Sequence, residues 1–290
     1  MKDIVVFVVA ICVLGIAGNT LVIASILKQK ILLKKNYYFL VLHLAICDAF
    51  VLLSIFFFEI FEHHLKSKPI LLNCSYISGI DTFFQIGGVS MMLIISVLRY
   101  RAIVHPLKLS FSRQKIKIVC GLAYIIGLVT TVGMTFQECI VDPQARYFIY
   151  ELFAFYSCFY IFPIIFMTVT YSIIAQALIK QRKALRTLSN PTHSHLQSST
   201  SSSLQRYNRH SKTFIVCVST VLCFTVGHAC FLVVDVLYLN NTVPSNSSTN
   251  LYVVYVLRLF GSHALNPLIY GILDRKMLFL WKCCPKIRPI

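Results

Sequence analysis

The chain has 290 residues, 57% of them hydrophobic and only 13% charged, with a mean hydropathy of +0.75. That is too apolar for a soluble domain of this length and describes a polytopic membrane protein. The formal net charge of +17 does not point to nucleic acid, because the basic residues fall in short runs between apolar segments, where an orientation signal belongs.

At about 20 apolar residues per crossing, the sequence divides into seven spans at roughly 4–27, 37–61, 72–100, 116–136, 148–179, 213–239 and 251–272. The expected fold is all-α: one domain over 1–290, a seven-transmembrane helix bundle embedded in the lipid bilayer. Met1-Lys2-Asp3 leads directly into span 1 without a short apolar region and cleavage site, so that helix is expected to insert as its own signal. Of the 27 basic residues, 22 lie after spans 1, 3, 5 and 7, which makes that side cytoplasmic and leaves the amino terminus outside. A flexible third inner loop is expected at 183–208, with Thr187, Ser189 and the run Ser198 to Ser203 in a polar setting. After span 7 a short amphipathic eighth helix is expected at 274–283, where Met277, Leu278, Leu280 and Trp281 stand beside basic residues. Cys283 and Cys284 behind it suit palmitoylation.

Glycosylation sequons begin at Asn73, Asn240 and Asn246, all on the outer side; Asn240 and Asn246 are the plausible sites, since Asn73 is crowded by its neighbouring cysteine. Of eleven cysteines, only Cys74 and Cys139 fall at or beyond outer helix ends. The outside is oxidising, so these two are the expected disulfide, tying the top of span 3 to the loop after span 4. No cluster of metal-ligand type lies at a membrane face: His63-His64 has no third ligand nearby.

Arg99 closes an apolar segment where a span meets water, a place that suits either an anchoring charge or a functional one. Span 7 ends in Asn266-Pro267-Leu-Ile-Tyr270, and Pro267 frees the carbonyl of His263. Together with Gly18-Asn19, Val22, Leu44-Ala45, Asp48, Cys74, Arg99-Tyr100, His105-Pro106, Pro163, Tyr171 and Cys223, in register across seven spans, this resembles the class A, rhodopsin-like G protein-coupled receptors. The resemblance covers essentially the whole chain.

The resemblance implies a receptor at the plasma membrane with a heterotrimeric G protein at its cytoplasmic face, and arrestin and a receptor kinase acting through the third inner loop. It assigns activation and coupling to Arg99, Tyr100, Tyr171, Asn266, Pro267 and Tyr270. Asp48, which costs about 2.5–3.5 kcal/mol in mid-membrane unless partnered, joins Asn19 and Asn266 in a polar centre that often holds sodium in the family. Here Gly88 and His263 stand where small hydroxyl residues are expected, so the centre is either a sodium site or a watery polar knot.

Departures from the pattern bear on switching. Leu98 replaces the usual acid beside the arginine, so Arg99 is expected to lack its resting partner and basal signalling to be raised. Tyr124 stands for a tryptophan, and Cys223-Phe224-Thr225-Val226 lacks the usual tryptophan and proline, which leaves Gly227 as a weaker source of a kink in span 6.

For the ligand, Asp81 lies eighteen residues before Arg99 and faces the outer cavity, either anchoring a cation or pairing internally with a group such as His228. Gln85, Glu59, Phe155, Phe159, Phe224, His228, Asp235 and Phe260 complete the candidate cavity, and Glu62 and Glu151 add acidity at its mouth. The expected ligand is an extracellular cationic small molecule or peptide, without cofactor. Phe260 stands where an opsin has its retinal-binding lysine, which argues against an opsin. The alternatives are a receptor-like protein with weak or ligand-independent signalling and, more remotely, a transporter, for which repeat symmetry is missing. No catalytic set is present.

Overall fold

The computed structural model describes residues 2–64, 76–107, 111–140, 154–188, 197–239 and 248–273. Its helices are Lys2–Lys28 (span 1), Asn36–His64 (span 2), Tyr76–Val104 (span 3) and Arg113–Ile140 (span 4), with a short turn Lys30–Leu33 between the first two. Span 5 enters through a π-turn, Ser157–Ile161, and continues as Phe162–Leu188; span 6 is Gln197–Leu239. Span 7 comes in two pieces, Ser248–Leu259 and Asn266–Leu273, around a π-turn at Phe260–Ala264.

Six of these helices are long and apolar enough to cross a membrane. The seventh crossing, 248–273, reaches roughly 39 Å at about 1.5 Å per residue, more than the ~30 Å hydrocarbon layer. Its π-turn hides it from a search for one unbroken apolar helix. Span 3 runs on to Val104 and stops there, because His105 precedes Pro106, and a residue before proline is pushed out of the helical region.

Span 3 packs against spans 2, 4 and 5, and span 7 against spans 1 and 6. One apolar cluster runs from Ile26 and Leu40 through Met91 and Ile103 to Met167, Ile174, Phe224 and Tyr270, all buried. A smaller one joins Val8, Val51, Leu52 and Leu259. Outside, Leu14, Ile125, Val129, Phe162 and Leu222 are more than half exposed. In water such a surface would drive aggregation; against lipid tails it is the expected coat.

Three expectations need correction or placement. The loop at 183–208 is shorter than expected, since helix continues through Leu188 and resumes at Gln197; Lys183, Ala184 and Leu185 are good helix formers that carry span 5 onward. Span 6 is one uninterrupted helix, and Gly227 serves close approach. A Cβ there would lie 3.0 Å from Ser262 Oγ and 3.1 Å from Arg258 Cα. Its counterpart Gly261 would meet the Cys223 carbonyl oxygen at 2.9 Å, so two glycines let spans 6 and 7 touch backbone to backbone. The eighth helix at 274–283, Cys283, Cys284, Asn240, Asn246 and Cys74 lie outside the described residues, and of Cys139, Glu59 and Asp235 only the backbone is described.

Candidate functional site

Polar side chains form an axis along the bundle. At its centre Asp48 is 1% exposed. A carboxylate there must collect donors or pay the full cost of burial. His263 Nδ1 lies 2.7 Å from its Oδ1, and Asn266 Nδ2 donates to its Oδ2 at 2.7 Å. Asn19 donates to the His263 carbonyl at 3.2 Å, the acceptor that Pro267 leaves without its helical partner. Gly18 admits this packing, since a Cβ there would meet Pro267 Cβ at 3.0 Å.

Both Asp48 oxygens are thus engaged by donors, and Gly88 contributes no oxygen. A cation there needs several oxygen ligands, and the Asp48 Oδ1 it would use already takes the imidazole at 2.7 Å. The donor that His263 supplies satisfies the carboxylate in the place of a cation. The open atoms left in the knot are Asn19 Oδ1, Asn266 Oδ1 and His263 Nε2.

At the end of the bundle that carries the basic loops, Arg99 meets no acid among the described residues. Its guanidinium carbon lies 3.9 Å from the centre of the Tyr37 ring on span 2, a cation–π geometry, and its Nε has no hydrogen-bond partner. Arg101 over Phe111 at 4.4 Å and Arg113 over Phe39 at 3.9 Å repeat the arrangement. The cause is compositional. Of the ten acidic residues, Asp274 alone falls on the basic side, so aromatic rings take the place of carboxylates. Arg99 is therefore held by a ring and not by an acid, and that ring is Tyr37. Tyr100 packs on His105 with ring centres 5.5 Å apart. Tyr171 and Tyr270, on spans 5 and 7, line one cavity of about 10 Å³ together with Tyr37, Met92 and Thr220, room for about one water. Ser96 Oγ lies 3.3 Å from the Tyr171 hydroxyl.

At the opposite end of the bundle Asp81 pairs with Arg258 on span 7 at 3.9 Å, with side chains 22% and 13% exposed. Gln85 donates to the same carboxylate and accepts from the Tyr160 hydroxyl at 2.7 Å. Asp81 Oδ1 keeps no hydrogen-bond partner. Arg258 also lies over Phe231 at 4.4 Å. The internal partner of Asp81 is Arg258, not His228, which is buried against Tyr160 and Phe224 with its Nδ1 3.0 Å from Ser262 Oγ. Phe155 and Phe159 form an aromatic cluster with Tyr156 and Tyr160, and Phe224 is 2% exposed beneath it. Phe260 is 42% exposed at the head of the π-turn, while Leu259 is buried and Arg258 turns to Asp81. Counting up from Pro267 at 3.6 residues per turn aims Phe260 at the cavity, and the wider π-turn breaks that count.

Sequence reasoning missed Arg258, Tyr37 and His43. The last has its Nδ1 3.0 Å from the Tyr124 hydroxyl, which also lies 3.6 Å from Cys47 Sγ. Tyrosine in place of tryptophan thus still ties span 4 to span 2 through a polar tip. The available signal for Arg258 was a lone cation in an apolar span, which demands a counter-charge.

Apolar helices of membrane length packed around a buried polar axis describe a multi-pass membrane bundle. The profile of the 7 transmembrane receptor (rhodopsin family) matches residues 18–270, and the chain belongs to that family. It is similar to bombesin receptor subtype-3 of Ovis aries, 24% identical over 304 residues, 95% of this chain and 73% of that protein. Somatostatin receptor type 5 of Rattus norvegicus is 23% identical over 285 residues, 91% and 72% of the two chains. Squid rhodopsin shares the fold with a TM-score of 0.79 at 16% identity, over 97% of this chain and 86% of that one. The chain is a multi-pass membrane receptor, and its relatives are receptors, not enzymes.

Proposed function

We propose that the chain is a plasma-membrane receptor, amino terminus outside, that takes an extracellular cationic small molecule or peptide in its outer cavity and activates a heterotrimeric G protein at its cytoplasmic face. The Asp81–Arg258 pair carries this reading. A basic group of the ligand displaces Arg258 from Asp81, and the freed arginine, on the segment that leads through the π-turn to His263 and Asn266, passes the change to the Asp48 knot. Exposed Thr187 and Ser203 at the inner ends of spans 5 and 6 are the proposed phosphate sites for a receptor kinase and arrestin.

The test is a dose-response series in cells expressing the receptor, using a library of basic peptides and amines with second-messenger readout. A charge-assisted bond in such a place is worth about 2–5 kcal/mol when one partner is removed. Asp81→Asn should weaken a cationic agonist by more than about tenfold, and Arg258→Gln should strengthen it by freeing the acid. Unchanged curves for both variants at normal surface expression would refute the anchor.

A second reading, ligand-independent signalling, is favoured by the internal capture of Asp81 and by Leu98. It predicts that no library member alters the output while unstimulated cells differ from mock-transfected ones.

A further inference from the structure

On the outer surface of the bundle, spans 3, 4 and 5 bound a groove of about 460 Å³, lined among others by Leu93, Leu98, Phe111, Lys115, Val119 and Phe166. None of its residues belongs to the polar axis. The volume is that of a small-molecule site, for which about 300–1,000 Å³ is usual. Lys115 is the one charged residue lining it. A lipid-facing concavity left empty forfeits dispersion contacts along its whole lining, so an apolar chain of matching shape would gain by lying there.

Lys115 is the group placed to meet the headgroup of such a chain. It stands in the first turn of span 4, is exposed, and makes no ion pair among the described residues. Its neighbours Arg113 and Arg101 are already held over Phe39 and Phe111. A lysine in this position lays its stem along the apolar wall and lifts its ammonium to the headgroup level. Basic pockets between spans on the cytoplasmic side capture anionic headgroups, and the inner leaflet supplies them.

We propose that this groove binds an anionic phospholipid of the inner leaflet, with an acyl chain against Leu93, Leu98 and Val119 and the phosphate at Lys115. The leaflet assignment rests on the orientation proposed above. Leu98 gains a role by this reading. The carboxylate usual at that position would polarise the wall, whereas leucine completes it, and the bound chain then touches the residue beside Arg99.

The experiment reconstitutes the purified receptor in vesicles carrying trace photoactivatable phosphatidylserine or phosphatidylcholine with identical acyl chains. Labelled peptides are then mapped by mass spectrometry. Phosphatidylserine should label peptides containing 93–98 and 115–119 about fivefold more than phosphatidylcholine, the effect of one lysine near an anionic headgroup. Lys115→Gln should equalise the two lipids. Val119→Trp, at a lipid-facing position that tolerates bulk, should fill the groove and suppress both labels. Equal labelling by the two lipids in the unaltered receptor, unchanged selectivity in Lys115→Gln, or full labelling in Val119→Trp would overturn the proposal. So would a bifunctional cross-linker, added to the same vesicles, joining two receptor chains at these residues, which would give the groove to a second copy. Protease access to an amino-terminal tag on intact cells reads the orientation separately: an inaccessible tag would sink the leaflet assignment alone.

Discussion

Replacing Tyr37 with leucine removes the ring over which the Arg99 guanidinium lies at 3.9 Å. Cation–π contacts contribute about 0.5–1 kcal/mol at exposed sites and about 2 when desolvated. Arg99 is half-buried and its Nε is enclosed without a partner, so roughly 1–2 kcal/mol applies. At about 1.4 kcal/mol per decade this is a five- to thirtyfold change in a population ratio. The contact holds Arg99 against span 2, away from the floor that would receive a G protein, so its loss should favour the active arrangement. The assay is unstimulated second-messenger output at matched surface expression. Tyr37→Leu should raise it severalfold, Tyr37→Phe should stay near the starting level, and Leu98→Asp, which restores a carboxylate partner, should lower output in either background. If Tyr37→Leu matches the unaltered receptor, the ring is not the restraint. If Tyr37→Phe rises as far as Tyr37→Leu, the hydroxyl and not the ring holds the arginine, and the reasoning fails.

Other outcomes follow from the same geometry. Gly261→Ala forces a Cβ to within 2.9 Å of the Cys223 carbonyl, an overpacking that costs about 1–3 kcal/mol; it should lower the melting temperature of the purified receptor, and an unchanged melting curve would show that spans 6 and 7 separate freely. Exchanging sodium for choline should leave the signalling of the unaltered receptor unchanged, because His263 occupies the Asp48 carboxylate, whereas His263→Ser should acquire sodium dependence; sodium sensitivity of the unaltered receptor would show that the imidazole yields its place. Cys74→Ser should reduce surface expression, the usual result of losing a bond that stabilises by about 2–5 kcal/mol, and normal surface levels would count against a Cys74–Cys139 disulfide.

The sequence by itself determined the number of spans, the side that carries the charge, and the need of Asp48 for polar partners. Those properties are local or cumulative: a run of apolar residues crosses a membrane whatever its neighbours do, and a charge in mid-membrane needs partners wherever it stands. Asp48 could therefore be marked as needing partners, and the resemblance to the receptor family set Asn19 and Asn266 beside it, before any contact was seen. What tertiary structure decided is which partner each charge finds. Arg258 reaches Asp81, and Tyr37 rather than any acid lies against Arg99. Neither pairing follows from spacing, because each joins residues on different helices whose rotation and depth come from packing. The π-turn at Phe260–Ala264 adds to the difficulty, since one wide turn shifts every facing residue above it and leaves no mark in the hydrophobic pattern. Gly227 and Gly261 make the same point for backbone. A glycine's use lies in what would strike its missing Cβ, and here that is the other helix.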